Sequence, residues 1–272
     1  TPAAEWAASH SVPCVETADV NQPQMVARIA AEQPEVIVVI AFGQKIGNEI
    51  ISLPAKDIIN VHASLVPRYR GAAPVNWAII NGETETGVSI IKVTEKIDAG
   101  DILAQRRTAI GQDETAGELA ERLGRLAAPL LADTLEKIAD GTARYTEQDH
   151  TQATTARKLK KSDGFIDFAE PAEVLERRIR GLWPWPGASA IYQCCTTGKA
   201  ERVTIARARV VEPAERTGAA PGTLDKDLNV ICGAAGLKLL QLKPAGGAVM
   251  GFRDFVNGRR TRPGDRFVKI GD

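Results

Sequence analysis

Hydrophobic positions follow two rhythms along the chain. In the first half, short apolar runs alternate with segments of helical spacing. Pro23–Gln33 sets Met25, Ile29 and Ala30 at helical intervals. Val36-Ile37-Val38-Val39-Ile40 is an unbroken β-branched run, the pattern of a parallel strand buried on both faces. Gly43–Leu53 reads as a short helix stopped by Pro54, Asp57–Ala63 as the next strand, and Pro74–Asn81 as a helix closed by Gly82. Val88–Val93 and Ile102–Ile110 read as further strands. Thr115–Asp140 is the clearest helix. Thr115 and Glu118 fit a capping box, Leu119, Leu123, Leu126, Leu130 and Ile138 form one apolar stripe, and Gly141 follows as a stop.

The second half changes character. Residues 142–164 are polar and threonine-rich and read as a linker. Glu170–Gly181 reads as a short helix. Ala188–Gln193, Val203–Val211, Leu228–Cys232 and Leu237–Leu242 are strand-like runs separated by Gly- and Pro-rich turns, and Gly251–Asn257 reads as a last helix. The expected architecture is α/β: a Rossmann-like open, mostly parallel sheet, then a small OB-like β-barrel. The expected units are 1–145, a linker over 146–164, and 165–272.

Charge sharpens this division. The 272 residues sum to zero net charge. Residues 1–150 hold 13 Lys+Arg against 21 Asp+Glu (13 − 21 = −8), whereas residues 151–272 hold 21 against 13 (21 − 13 = +8). A basic second half is compatible with a polyanionic partner. The longest apolar run, Val36–Phe42, is too short to cross a membrane, and no secretory signal opens the sequence, so a cytoplasmic monomer is expected. Cys14, Cys194, Cys195 and Cys232 lack metal-ligand spacing, and no metal is expected; adjacent Cys194 and Cys195 are read as alternating across a strand. Trp183 and Trp185 are read as core packing.

The chemistry concentrates between residues 59 and 101. Asn60 and His62 stand two apart on one strand and so share a face. An amide can donate to a developing oxyanion, and an imidazole can move a proton near neutral pH. Asp98 follows another strand, in a loop with Gly100 two residues on, where a carboxylate could turn inward to support the imidazole. The set has no Gly-x-Ser-x-Gly elbow, although Ser64 lies close by. It suits acyl transfer between two bound substrates. Two readings from the residues alone compete with it: a non-catalytic RNA-binding module, and a dinucleotide-dependent dehydrogenase, which the absence of G-x-G-x-x-G after any predicted strand disfavours.

The stretch INVHASLVPRYRGAAPVNWAIINGETETGVSIIKVTEKIDAGDIL resembles the 10-formyltetrahydrofolate-dependent formyltransferase family. The resemblance implies that Asn60, His62 and Asp98 are the catalytic set and that Ser64, Leu65, Val66 and Pro67 shape the folate-binding loop. RIRGLWPWPGA (178–188) and LLQLKPAGGAVM (239–250) resemble the β-barrel domain of family members that formylate initiator methionyl-tRNA for translation initiation. The implied formyl donor is 10-formyltetrahydrofolate and the implied partner is that tRNA. Arg68, Lys158, Lys160, Lys161, Arg177, Arg178 and Arg180 are candidates to meet tRNA phosphates, and Arg68 and Arg70 could instead meet the folate glutamate tail or another RNA phosphate. A hydrolase or sugar-nucleotide formyltransferase of the same family is the alternative. The family pattern also implies a strand, glycine loop and helix ahead of the first residue given.

Overall fold

The structure is a computed structural model that describes residues 2–212 and 218–271. The elements are α1 (Pro2–Ser9), α2 (Pro23–Ala31), β1 (Val36–Ile40), α3 (Asn48–Ile51), β2 (Asp57–His62), α4 (Pro74–Ile80), β3 (Glu85–Lys92), β4 (Ile102–Ala109) and α5 (Ala116–Ala139). They are followed by α6 (Ala172–Leu182), β5 (Ala188–Gln193), β6 (Ala200–Val211), β7 (Val230–Ile231), β8 (Gly236–Pro244), β9 (Met250–Gly251), α7 (Phe252–Arg259) and β10 (Arg266–Val268).

The first sheet has the order β1-β2-β3-β4. Its β1–β2 ladder is parallel, while β2–β3 and β3–β4 are antiparallel. The chain therefore enters β3 from the end at which it left β2, with α4 lying in the connection between the two strands. Among the described residues β1 pairs only with β2, so its β-branched run is half-buried and ends at an exposed Ile40, rather than being covered on both faces.

Helix α5 covers one face. Thr115 accepts from the Glu118 N–H while the Glu118 carboxylate accepts from the Thr115 N–H, the capping box read from sequence. Leu119, Leu123 and Leu130 pack with Ile59, Val88 and Ile90.

The second sheet runs β10-β5-β6-β8-β7 and is antiparallel throughout, with β9 added beside β8. Leu224 bridges to Val230 and Thr223 to Arg266, which joins the two ends of that order into a barrel. Val203, Ile205, Leu242, Phe255 and Phe267 fill it, and Tyr192 meets Phe255 edge-on at 5.1 Å. Helix α6 contributes Leu175 and Ile179 to this core, then crosses α4 at Gly181. A Cβ there would stand 2.6 Å from Ile80 Cγ1, so only glycine allows the two backbones this close, and Asn76 Nδ2 donates to the Gly181 carbonyl at 2.7 Å.

Three local expectations change. Residues 146–164 are no solvated tether: Gln148, Ala156 and Leu159 are buried, and Leu159 packs with Ala73 and Leu182. Cys194 and Cys195 sit in the turn after β5 instead of alternating within it, with Cys195 exposed. Trp183 is half-buried and Trp185 is 52% exposed, because the turn closing α6 points Trp185 outward.

Candidate active site

The alternation of β2 sends Ile59 and Val61 toward α5 and leaves Asn60 and His62 on the opposite face. His62 lies opposite Ser89 of β3 and Asn60 opposite Ile91. Loop 93–101 leaves β3 and folds back to this pair. Two features let it turn so sharply. Asp98 adopts φ +50°, and Gly100 passes so close to the Lys92 carbonyl that a Cβ would stand 2.1 Å from its oxygen.

The Asp98 carboxylate is the centre of the cluster. Its Oδ1 accepts from Asn60 Nδ2 at 3.0 Å, and its Oδ2 accepts from the Gly71 N–H at 2.8 Å. His62 Nδ1 stands 3.5 Å from the same Oδ2, an ion-pair distance longer than a made hydrogen bond. The other ring nitrogen, Nε2, lies 2.9 Å from the Tyr69 carbonyl. A carbonyl only accepts, so Nε2 carries a proton, and Nδ1 is the ring nitrogen turned toward Asp98. The imidazole is buried, 5% exposed, and its two nitrogens face a carbonyl and a carboxylate. Asn60 uses one amide hydrogen on Asp98 and is half-buried.

Tyr69 aims its carbonyl from a left-handed turn at φ +60°. Its hydroxyl donates to Glu83 at 2.7 Å and accepts from Asn81 at 3.2 Å; burial, then Glu83, push the phenol above its ordinary range. The Ser64–Pro67 loop is held from beneath. Ser89 Oγ donates to the Ser64 carbonyl at 2.6 Å and accepts from the Val66 N–H at 3.2 Å and from Gln105 at 2.8 Å. Gln105 also donates to the Val66 carbonyl at 2.9 Å.

Sequence reasoning brought Asn60, His62 and Asp98 together and missed the groups that hold them: Tyr69, Gly71, Ser89, Gln105 and Gln148. Ser89 left a trace, as a lone hydroxyl inside the apolar run Val88–Ile91.

The cationic candidates divide. Lys158, Lys160 and Lys161 are exposed on one stretch of chain, and Arg68 is exposed but paired with Glu83. Arg70 is turned inward onto Gln148 and lies 2.8 Å from His150 Nδ1. Arg178 pairs with Glu170 and donates to the carbonyls of Asp163 and Phe165. Arg180 pairs with Glu176 and donates to the Glu114 carbonyl. Arg177 lies against Gly82. Among the described residues no group of three His, Cys, Asp or Glu is placed to hold a metal ion, and no helix is long and apolar enough to cross a membrane.

The sequence of this chain matches two family models, one for formyl transferase over residues 3–135 and one for the formyl transferase C-terminal domain over residues 158–260. The chain belongs to the formyl transferase family. It is 36% identical to the methionyl-tRNA formyltransferase of Geobacter metallireducens over 260 residues, spanning 96% of this chain and 82% of that protein. It is 39% identical to the methionyl-tRNA formyltransferase of Solibacter usitatus over 268 residues, 98% of this chain and 84% of that one. Two solved structures share its fold at low identity. HypX from Aquifex aeolicus in complex with tetrahydrofolic acid aligns with a TM-score of 0.64 at 17% identity, over 86% of this chain and 41% of HypX. The sugar 3N-formyl transferase WlaRD, solved with dTDP and 5-N-formyl-THF, aligns with a TM-score of 0.63 at 14% identity, over 99% and 81%.

Proposed function

We propose that this chain transfers the formyl group of 10-formyltetrahydrofolate to the α-amine of initiator methionyl-tRNA, in the cytoplasm, at the start of protein synthesis. The observation that carries the reading is the meeting of Asn60 and His62 on one carboxylate, Asp98, within 3.5 Å. Methionyl-tRNA formyltransferases 36–39% identical over most of the chain support the acceptor. We assign residues 1–145 to the transfer unit and 165–272 to the tRNA-binding barrel, joined by 146–164.

The folate is a substrate, consumed each turnover, and the residues present suit it. The Ser64–Pro67 loop is pre-shaped by Ser89 and Gln105 beside half-buried Leu65, offering an apolar edge with fixed backbone next to the acid–base groups. In the reaction a carbon–nitrogen bond forms to the amine and the bond to the folate nitrogen breaks. The amine loses a proton and the leaving nitrogen gains one. Asn60 supplies the donor for the oxygen that gains charge, with the amide hydrogen not used on Asp98. The Asp98–His62 pair accepts the amine proton: His62 takes it at Nδ1, and the carboxylate stabilises the resulting imidazolium. The same proton then returns to the leaving group. Exposed Lys158, Lys160, Lys161 and Arg68 are the better candidates for tRNA phosphates, since Arg178 and Arg180 are committed within the fold.

The test is formyl transfer from 10-formyltetrahydrofolate to methionyl-tRNA. Formyl-methionyl-tRNA should accumulate, and Asn60→Ala or His62→Ala should lower kcat about 10²–10³-fold. Full activity in either variant would remove the assignment. Formate release with no formylated tRNA would place the chain among hydrolases of the same family.

A further inference from the structure

Gln148 is 3% exposed, although it lies in a polar stretch whose neighbours Glu147 and Asp149 face water. Its amide is used at both ends. Nε2 donates to the Asp98 carbonyl at 2.9 Å and to the Gly100 carbonyl at 2.6 Å. Oε1 accepts from Arg70 Nε at 3.1 Å and Nη2 at 2.6 Å. A buried amide saturated in this way behaves as a fixed spacer between the groups it joins.

What it joins is the site. Its two donors grip the backbone on either side of the turn in which Asp98 is left-handed at φ +50°, a conformation that persists only where the surroundings over-determine it. Its acceptor end holds Arg70, the residue between Tyr69, whose carbonyl fixes His62, and Gly71, whose N–H binds the Asp98 carboxylate. The backbone around Gln148 reinforces the link. Thr146 pairs with Ile102, the Arg70 N–H donates to the Thr154 carbonyl at 2.9 Å, and the Ala156 N–H donates to the Arg70 carbonyl at 2.6 Å. Gln148 also lies between the two stretches matched by the family models, 3–135 and 158–260.

We propose that Gln148 is the positioning residue for Asp98: it clamps the turn at Asp98–Gly100 to the Tyr69–Gly71 segment and so sets the carboxylate between Asn60 and His62. The inference rests on the reading of that cluster given above. Gln148→Glu is the sharpest probe, because it keeps the shape and the acceptor for Arg70 but turns lone pairs toward two carbonyls. Gln148→Met, similar in length and uncharged, is the second variant should the first not fold.

Two readouts decide the matter. The first is hydrogen exchange of the Gly71 amide by NMR, which reads the bond to Asp98 directly. It should quicken at least tenfold in either variant while amides in β2 and β3 keep their protection. The second is kinetic: kcat should fall about 10–100-fold with both KM values within about threefold, and adding the Gln148 substitution to Asp98→Asn should change kcat no further. Unchanged Gly71 exchange, a loss confined to KM, or an additive loss on Asp98→Asn would overturn the proposal. Should Asp98→Asn itself retain full activity, the reading of the cluster fails, and Gly71 exchange alone then decides whether Gln148 holds Asp98.

Discussion

Removing one hydroxyl, with Ser89→Ala, should loosen the Ser64–Pro67 loop without dismantling the sheet. Ser89 is fully buried, at 0% exposure, and its Oγ serves the Ser64 carbonyl, the Val66 N–H and Gln105 Nε2. Alanine leaves the first two unpaired. Each buried polar group without a partner costs about 1–3 kcal/mol, which sets a ceiling of roughly 6 kcal/mol for the pair. The loop will not bear the ceiling. Gln105 keeps its bond to the Val66 carbonyl, and Leu65 and Pro67 are half-buried, so a small shift of the loop readmits water. That leaves about 2 kcal/mol, expressed as loop displacement and equivalent to roughly a 30-fold change in affinity. Calorimetric titration with 5-formyltetrahydrofolate should therefore show about 30-fold weaker binding, with KM for methionyl-tRNA within twofold and Tm lower by a few degrees. A variant that loses Tm but binds the folate as tightly as the parent would refute the assignment of Ser64, Leu65, Val66 and Pro67 to the donor site.

Replacing Lys158, Lys160 and Lys161 together by alanine should flatten the salt dependence of tRNA binding, since each neutralised phosphate of a nucleic acid contributes about 0.7–0.9 to the slope of log affinity against log salt. A fall of one to two in that slope between 50 and 200 mM salt, measured by filter binding, is expected; an unchanged slope would exclude these lysines from the contact. Tyr192→Phe tests the barrel. Burial pushes Asp265 up, but the Tyr192 hydroxyl at 2.6 Å and the Cys195 and Arg262 N–H groups outweigh it and hold the carboxyl below its ordinary range. A carboxyl depressed in the fold adds stability above its unfolded value of about 3.9, and that stability is lost as pH falls through the folded value. The variant should be about 1–3 kcal/mol less stable near neutral pH, with the gap narrowing below about pH 4. Thermal unfolding at both pH values checks this, and a gap independent of pH would count against it.

The parts of this fold that were legible in the sequence are those with a periodic or local signature. The stripe from Leu119 to Ile138 and the Thr115–Glu118 box locate α5 to within a residue at each end. The β-branched run gives β1 its bounds. Direction in the sheet was not legible, because apolar periodicity says that a strand is buried and nothing about which way its neighbour runs. The burial of β1 depended in turn on what lies beside it, which no local pattern encodes. Short elements escaped for a related reason. β9 and β10 have 2 and 3 residues, too few for alternation to register, yet β10 is the strand to which Thr223 bridges in closing the barrel.

The site divides along the same line. Asn60 and His62 are two apart on a strand, so their common face follows from backbone geometry alone. Asp98 joins them only because a loop folds back, and the loop folds back because Gly100 permits the approach and Asp98 accepts a left-handed turn. Those tolerances make the turn possible without making it stay. What fixes it comes from Gln148, 50 residues onward in sequence from Asp98 and in a stretch that reads as a tether by composition. The consequence for chemistry is specific. With Nε2–H given to the Tyr69 carbonyl, a proton can enter the buried pair only at Nδ1 of His62 or at the Asp98 carboxylate, and the 3.5 Å between them is set by how far the turn reaches. The placement of Asp98 between Asn60 and His62 therefore depends on the clamp as much as on the three side chains that resemblance singles out.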